Sequence, residues 1–446
     1  MAHAHHRPAY SRLSERLNRF PQGAPPSDLL FSILKLLFSE KEAGLMALLP
    51  IRPFTCQDAA QAWKMDHLAA RRILDNLAAR ALLVDMPQNG ERYYCLPPPM
   101  AGFFEFSLMR VRGDGDIDQK ALSELYFQYL NVEEDFIKAL FLDGRTQLGR
   151  VFVQEAALPA ENALHVLDYE RAGEVIRTAS HIGISLCYCR HKMAHVGRDC
   201  SAPKEICMTF NTAAASLIRH GHARPVDAAE CLDLLDRACS ANLAQFGENV
   251  QRGVNFICNC CGCCCEAMLA IQKFGLVRPI HSNFIARIDA DRCKACGRCA
   301  AVCPVRAIHG GDDDPAVSDA SMCLGCGVCV RNCPSGALGL DSRPARVLTP
   351  VDTVRRTVLM AVERGTLQHL IFDNHVLYSH RAMAAILGVI LRLGPVKRAL
   401  AAKLLQSGYI DALLERITAN YNGAAAQVSA GSGSRKDFGR TRPISL

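Results

Sequence analysis

Hydrophobic positions near the N-terminal end recur at helical spacing in three segments, and two strand-like runs follow them. The helical segments are Leu29 to Leu37, Thr55 to Trp63 and Leu68 to Ala81. The strand-like runs flank Gln88-Asn89-Gly90, and an Asn-Gly pair between such runs is a strong signal for a β-hairpin. Three helices followed by a hairpin predict a winged helix-turn-helix-like domain over residues 28–115.

This predicted shape raises the question of nucleic-acid binding. The helix from Leu68 would be the recognition helix and the hairpin at Gln88–Arg92 the wing. Four basic side chains are candidates to meet phosphates: Arg71, Arg72, Arg80 and Arg92. Alanines dominate the helix where Asn, Gln or Arg would read bases, so the sequence favours a scaffold or docking domain over DNA binding.

The rest of the chain divides where composition and pattern change. Mixed patterns predict a cysteine-rich α/β domain over residues 116–285, followed by a compact cysteine-rich module at 286–341. Helical spacing then predicts a helical cap at 342–421. Polar composition predicts disordered tails at 1–27 and 422–446. The predicted fold class is α+β, multidomain.

One cysteine pattern occurs twice in the module at 286–341. Each copy has three cysteines at three-residue spacing and a fourth that is followed directly by a proline, Pro304 or Pro334. Three such cysteines let a tight loop wrap an iron–sulfur cubane, while the fourth, held extended by its proline, ligates the other cluster. The predicted ligand sets are Cys293, Cys296, Cys299 and Cys333 for one 4Fe-4S cluster, and Cys323, Cys326, Cys329 and Cys303 for the second.

The repeated pattern CxxCxxCxxxCP favours clusters over two alternatives. Structural zinc usually takes two separated CxxC pairs, and disulfides belong to secreted domains. Over about residues 286–341 the chain resembles the bacterial-type two-cluster ferredoxins.

Composition indicates that most of the other cysteines bind metal. The chain has 446 residues, half of them hydrophobic, and 22 cysteines. It shows no apolar stretch with a cleavage site at its N-terminus, so we expect a cytoplasmic protein whose thiols are kept reduced.

The longest apolar run, Ala382 to Leu391, is too short to span a membrane. The net charge of +7 permits nucleic acid, acidic proteins or an anionic membrane as partners and selects none.

Ten further cysteines form two groups in the domain at 116–285. The first begins with Cys187-Tyr-Cys-Arg-His191, and the second is the run CNCCGCCC that ends at Cys265. Thiols at this density would oxidise unless a soft metal held several as thiolates. We predict a third iron–sulfur centre shared by the two groups, with zinc as the alternative. The candidate ligands are Cys187, Cys189, Cys200, Cys207, Cys258, Cys260, Cys261, Cys263, Cys264 and Cys265, with His191 and His195.

Two histidines near these cysteines and four cysteines elsewhere in the chain are predicted to have roles other than metal binding. For each of the two histidines a hydrogen-bonding role is favoured over ligation. The four single cysteines in apolar surroundings are predicted to be small core residues: Cys56, Cys95, Cys231 and Cys239.

The order of these segments resembles a family of prokaryotic iron–sulfur proteins that is common in anaerobes. Its members combine a winged-helix-like segment, a CYCRH and CNCC-x-CCC domain and a two-cluster ferredoxin, and the resemblance covers about residues 28–340. Members are usually described only as ferredoxin-type proteins. The resemblance therefore implies cluster binding and electron transfer without implying a substrate.

Electron transfer is the leading functional hypothesis. Two clusters with crossed ligands form a short relay that would pass low-potential electrons between a donor and an acceptor protein, both unknown. A cluster-dependent reductase acting at the central cysteines is one alternative, and a redox-responsive winged-helix DNA-binding regulator is another. If the chain is an enzyme, we expect an oxygen-sensitive iron–sulfur oxidoreductase. The sequence contains no GxGxxG after a strand, the fingerprint of a flavin or nicotinamide site, and no P-loop, which argues against ATP-driven activation. No catalytic residue is predicted.

Overall fold

The fold is mixed α/β with several small sheets. A computed structural model describes residues 8–88, 90–111, 117–142, 144–158, 166–275, 280–311, 314–373 and 378–392. The predicted tail at 422–446 and residues 393–421 of the predicted helical cap lie outside this part of the chain.

The N-terminal region is a group of helices closed by a small sheet. Its first helices are α1 (Ala9–Leu17), α2 (Asp28–Leu37), α3 (Glu40–Met46), α4 (Cys56–Trp63) and α5 (His67–Ala79). Its strands are β1 (Phe54–Thr55), β2 (Val84–Gln88) and β3 (Glu91–Cys95), in the antiparallel order β1-β3-β2. Short polar side chains cap the N-termini of α2, α3 and α4. Ser27, Ser39 and Thr55 each accept a hydrogen bond from the backbone N–H of the residue three positions later.

Residues 9–17 form α1 and not the disordered tail that the sequence predicted. Leu13 and Leu17 are buried in the N-terminal core. Arg16 donates from Nε to the carbonyl of Leu49 at 3.1 Å, which satisfies a charged group inside the fold. The expectation failed because the segment is polar on average, whereas a single apolar stripe is enough to hold a helix against a core.

Aromatic residues connect this region to the middle of the chain. The connecting helices are α6 (Phe104–Phe106), α7 (Gln119–Phe127) and α8 (Asp135–Phe141). Phe104 packs against Tyr126, Tyr129 and Phe136, with ring centroids 4.8 to 6.4 Å apart. Tyr126 in turn lies 5.8 Å from Tyr188, so this aromatic core reaches the first cysteine group.

A six-stranded antiparallel sheet forms the middle of the molecule. Its strands are β4 (Gly149–Phe152), β5 (Ile182–Leu186), β6 (Glu205–Phe210), β7 (Arg224–Pro225), β8 (Ala244–Glu248) and β9 (Phe256–Cys260), in the order β4-β8-β9-β6-β5-β7. The accompanying helices are α9 (Ala172–Thr178), α10 (Tyr188–His195), α11 (Asn211–Arg219), α12 (Ala228–Ser240) and α13 (Glu266–Phe274). Helices beside an antiparallel sheet are the α+β arrangement.

The N-terminal hairpin is joined to this middle domain through Asp85 on β2. Asp85 is almost fully buried and accepts hydrogen bonds from Ser216 (2.7 Å), Arg219 (2.6 Å) and His220 (3.1 Å) on and just after α11. Burial alone would raise the pKa of Asp85, but the hydrogen bonds from His220 and Ser216 and the charge of Arg219 lower it to about 2. One ionised carboxylate therefore holds two parts of the chain together.

We expect Asp85→Asn to destabilise this junction by about 1–3 kcal/mol, because a buried, charge-assisted set of hydrogen bonds is lost. Because the pKa of Asp85 is lowered, its carboxylate stabilises the folded protein fully when the pH is above 3.8, the ordinary pKa of the group. This stabilisation is lost as the pH falls towards 2. Chemical unfolding at pH 7 measures the effect, with the exposed Asp233→Asn as the control. Equal stability of the two variants would contradict the assignment.

The module after the sheet consists of two short strand pairs and two short helices. Its elements are β10 (Phe284–Ile288), α14 (Arg298–Val302), β11 (Ile308–Gly311), β12 (Asp314–Ser318), α15 (Val328–Arg331) and β13 (Leu338–Ser342). β10 pairs with β13 and β11 with β12, both antiparallel. The apolar interior of this module is continuous with the middle sheet through Val151, Val153 and Phe246.

The last described elements are α16 (Thr353–Arg364), α17 (Leu367–Ile371) and α18 (Tyr378–Arg392). Val358 and Leu370 pack with Ile51 of the N-terminal region. Asp373 accepts hydrogen bonds from the N–H groups of Ile51 (2.7 Å) and Arg52 (3.0 Å), so the segment after α17 contacts the N-terminal region. Among the described helices, none combines the length and the apolar character that crossing a membrane requires.

Candidate metal centres

The first sulfur site combines the three closely spaced cysteines of the first copy of the repeat with the last cysteine of the second copy. A small cavity of about 20 Å³ is lined by Cys293, Cys296, Cys299 and Cys333. The N–H of Ala316 points to the Cys293 sulfur at 3.4 Å, a contact that favours thiolate over thiol. Cys333 thus lies with the first copy of the repeat, although it belongs to the second.

The second sulfur site is more deeply buried. Cys323, Cys326 and Cys329 are each less than 9% exposed, and Cys303 approaches them closely enough to act on the pKa of Cys326 and Cys329. Burial raises the pKa of Cys326 to about 12. Burial also raises the pKa of Cys303 and Cys329, and thiols of this kind fit a metal cluster, whose positive charge stabilises thiolates. Ligation by all eight cysteines stays a prediction.

The central cysteines sit at two corners where a strand of the middle sheet turns into a helix. β5 leads to Cys187 at the start of α10, and the loop after β9 leads to Cys265 at the start of α13. Backbone N–H groups point at both sulfurs, from Arg190 to Cys187 and from Ala267 and Met268 to Cys265. Helix N-termini favour thiolates, so both corners are suited to metal ligands.

The sheet itself brings three more cysteines to the same place. β6 lies between β5 and β9, and the pairing of Met208 with Ile257 sets Cys207 beside Cys258. Cys260 lies two residues beyond Cys258 on the same strand and therefore faces the same side. Cys189 follows Cys187 in the first turn of α10. The residues that gather here are Cys187, Cys189, Cys207, Cys258, Cys260 and Cys265.

These six thiols line one cavity of about 110 Å³. Sulfur contacts link them in the sequence 187, 189, 265, 260, 258, 207. Along this series the pKa of Cys187, Cys265 and Cys258 is lowered, because each accepts a hydrogen bond from a neighbouring thiol. The pKa of the neighbours Cys189, Cys260 and Cys207 is raised, because each donates its proton to such a bond. Six thiolates cannot coexist there without a compensating cation.

Buried donors in the same cavity also fit a sulfur-rich cluster. Tyr188 Oη and Arg190 Nε are buried and have no hydrogen-bond partner among the described residues. An orphaned buried donor is costly, and inorganic sulfide would supply an acceptor. The cavity therefore suits an iron–sulfur centre held by several of the six thiols.

Arg190 is the cation of this region. Its side chain is completely buried and donates to the carbonyls of Pro203 (2.9 Å) and Asn259 (2.8 Å). Burial alone would lower its pKa, but the charges of nearby cysteines, Cys187 foremost, raise it. The guanidinium thus offsets thiolate charge and fixes two loops.

The other four central cysteines form a group of their own. The sulfurs of Cys200, Cys261, Cys263 and Cys264 all lie within 4.8 Å of one another. The ten cysteines that the sequence assigned to one shared centre are therefore divided into six that line only the cavity and a group of four beside it, of which Cys261 also reaches the cavity wall.

Neither candidate histidine belongs to these sulfur sites. His191 Nδ1 lies 2.7 Å from the carbonyl oxygen of Leu108, and its Nε2 lies 3.2 Å from Nε2 of His195. Burial, followed by the nearby His191, lowers the pKa of His195. The hydrogen-bonding role that the sequence favoured describes both residues better than ligation.

A polar bridge joins the central cysteines to the ferredoxin-like module. Gln272 on α13 donates from Nε2 to the carbonyls of Gly262 (2.7 Å) and Pro304 (2.8 Å). A Cβ added at Gly262 would lie 2.5 Å from the Pro304 carbonyl oxygen, so the backbone can approach this closely only with glycine. Pro304 directly follows Cys303, which places the two cysteine systems in contact.

Sequence reasoning did not single out Gln272 or Glu105. Glu105 lies on α6, lines the cavity and accepts the N–H of Gly102 at 2.8 Å. Burial, then the charge of Cys258, raises its pKa well above the ordinary range. No local motif marks either residue, because each reaches its site through tertiary packing.

The remaining predicted residues lie elsewhere. Of the four single cysteines predicted as core residues, Cys56 and Cys231 are buried, whereas Cys95 and Cys239 are only half-buried. Among the arginines considered for phosphate contact, Arg80 pairs with Glu42 (2.6 Å), Arg71 with Asp75 (3.5 Å), and Arg92 with Asp75 (3.2 Å). Arg72 is exposed. Three of the four charges are thus already balanced within the domain.

Comparison with known proteins identifies one segment. A family model for the 4Fe-4S dicluster domain matches residues 285–334. That segment contains all eight cysteines of the first two sulfur sites, and it makes this part of the chain a ferredoxin-type iron–sulfur domain. No curated protein and no solved structure matches the chain.

Proposed function

We propose that this protein transfers single electrons, and that its ferredoxin-type module exchanges them with a third iron–sulfur centre in the six-thiol cavity. The module would hold two 4Fe-4S clusters, one on Cys293, Cys296, Cys299 and Cys333 and the second on Cys303, Cys323, Cys326 and Cys329. Such clusters supply one-electron oxidation and reduction.

The observation that carries this proposal is the continuity of one core across all three sites. Cys260 and Cys265 of the cavity belong to the same buried cluster of residues as Cys299 and Cys326 of the module. Gln272 adds a direct polar link at Gly262 and Pro304. Close packing with no intervening solvent layer is what short-range electron exchange between centres needs.

Residues of the chain set the properties of the third centre. Backbone amides at the start of α13 and the guanidinium of Arg190 stabilise thiolates on two sides of the cavity. Such contacts raise a cluster's potential relative to a bare site. The third centre is therefore suited to accept electrons that the module delivers.

Cys265→Ser tests the third centre. We expect the variant, purified without oxygen, to lose the iron and sulfide beyond the roughly eight irons of two cubanes. The electron-resonance spectrum of the two coupled clusters should persist. Cys239→Ser, a half-buried cysteine outside the sulfur sites, is the matched control. Wild-type iron limited to two cubanes would refute the third centre, and loss of the coupled spectrum in Cys265→Ser would refute its independence.

A reductase acting at the central site is the second candidate function. It is favoured by Glu105, a cavity carboxyl whose raised pKa, caused by burial and the charge of Cys258, would let it carry a proton at neutral pH. We place this candidate below electron transfer because the described cavity walls are otherwise largely apolar and cysteine-rich.

For the outer regions we propose supporting roles. The N-terminal region would be a winged-helix-like scaffold, since its hairpin is held to α11 through Asp85 and three of its candidate phosphate-binding arginines are paired internally. The helices α16 and α17 would act as a cap that joins this scaffold to the middle domain. DNA binding, as a redox-responsive regulator would need, lacks a supporting contact surface in the described residues.

A further inference from the structure

The four cysteines beside the cavity have the geometry of a single-ion site. Measured sulfur–sulfur distances are 3.8 Å for Cys200 and Cys261, 3.9 Å for Cys200 and Cys264, and 3.7 Å for Cys263 and Cys264. Cys261 also contacts Cys263 and Cys264, and Cys263 contacts Cys200, so every pair in the group is in contact. Four sulfurs in mutual contact form a tetrahedron.

The size of this tetrahedron matches one thiolate-bound metal ion. Bonds of about 2.3 Å from a tetrahedral zinc to four sulfurs place the sulfurs about 3.8 Å apart. A cubane instead binds each cysteine to a different iron, which spreads the sulfurs further. Within the described part of the chain, this is the one set of potential ligands that is so compact, and the cysteines predicted for the two cubanes do not meet the same distance limit.

The chain supplies these ligands from two loops next to the cavity. Cys200 comes from the loop after α10, and the other three come from the loop between β9 and α13. In that loop Cys260, Cys261 and Cys265 line the cavity, whereas Cys263 and Cys264 do not. One run of cysteines therefore serves two adjoining sites, with Cys261 at the boundary between them.

Charge and exposure agree with an ion-binding role. The guanidinium of Arg190 lies close enough to Cys261 and Cys200 to interact with their charges, so a positive group stands beside the four sulfurs. Cys264 is buried and Cys263 is exposed, so the group reaches from the interior to solvent and an ion can enter. Four uncharged thiols gain little from such close contact, whereas a dication at their centre would offset the repulsion between four thiolates.

We propose that Cys200, Cys261, Cys263 and Cys264 bind one divalent metal ion, zinc or ferrous iron, in a mononuclear tetrathiolate site separate from every iron–sulfur cluster. The ion clamps the loop after α10 to the loop before α13. Cys187, the first cavity thiol, stands at the other end of α10, and Cys265, the last, directly precedes α13, so the ion site lies beside the six-thiol cavity. This site does not depend on the third cluster for its geometry.

Metal and sulfide analysis of Cys263→Ser tests the site. A mononuclear ion carries no inorganic sulfide, so the variant should lose one zinc or one iron per chain while its sulfide content stays at the wild-type level. Cys200→Ser, a change in the opposite loop, should give the same result. Cys265→Ser should do the reverse, lowering sulfide and keeping the single ion, and Cys239→Ser should change neither.

Cobalt substitution gives a second readout that does not need an active protein. After removal of the single ion, Co²⁺ added to the full chain should give the visible absorption of a tetrahedral tetrathiolate, at least tenfold weaker in Cys263→Ser. Circular dichroism confirms that the variants are folded. Loss of sulfide in Cys263→Ser, or wild-type protein without any ion beyond the clusters, would overturn the proposal. Neither result depends on whether the cavity holds a third cluster.

Discussion

Cys326→Ser should cause the largest single loss of function in this protein. Cys326 is buried in the second sulfur site, among Cys303, Cys323 and Cys329. Its carbonyl oxygen also accepts a hydrogen bond from the N–H of Gln154 at 2.9 Å. Without this thiolate we expect the chain to lose about four irons, and the small module to lose much of its stability, because ligand bonds supply most of it. Iron analysis and thermal unfolding under anaerobic conditions measure both effects.

The same variant tests the direction of electron flow. If the module feeds the cavity centre, reduction of that centre by a low-potential donor protein should slow at least tenfold in Cys326→Ser, as followed by rapid-freeze electron resonance. Cys239→Ala should retain the wild-type rate and iron content. An unchanged reduction rate in Cys326→Ser, with one cluster missing, would mean that electrons enter the central site by another route.

Arg190→Leu is expected to disable the central sites while the module keeps its clusters. The guanidinium is completely buried among cysteine sulfurs and bonded to the carbonyls of Pro203 and Asn259. Removing it leaves thiolate charge uncompensated and two carbonyls without donors, which costs about 3–5 kcal/mol for a buried charge. Iron and sulfide content, together with unfolding free energy, should all fall relative to the control Arg198→Leu, whose side chain is exposed.

Arg190→Lys separates charge from positioning. Lysine keeps the positive charge but lacks the planar fork that reaches both carbonyls. We expect it to retain the third centre with a shifted reduction potential and reduced stability. If Arg190→Leu binds the third centre with wild-type content and potential, the guanidinium has no part in the site.

The local elements that repeat strongly in the sequence were predictable. The Asn-Gly hairpin, the helices α2, α4 and α5, and the grouping of cysteines by spacing all depend on contacts between residues close in the chain. The helix α1 was missed because its segment is polar on average, and the core against which Leu13 and Leu17 pack is formed by residues distant in sequence. Short-range patterns carry no information about such partners.

The sequence by itself determined which residues can bind metal: the spacing of eight cysteines and the density of ten more follow from thiolate chemistry alone. Only the tertiary structure divided those ten into six that line a cavity and a compact group of four, with Cys261 of that group at the cavity wall. The division depends on strand pairing, since β6 sets Cys207 beside Cys258, and on the course of the loop before α13, which brings Cys261, Cys263 and Cys264 to Cys200. Closeness in sequence does not decide which sulfurs meet in space, because strand register and backbone direction determine where each side chain lies.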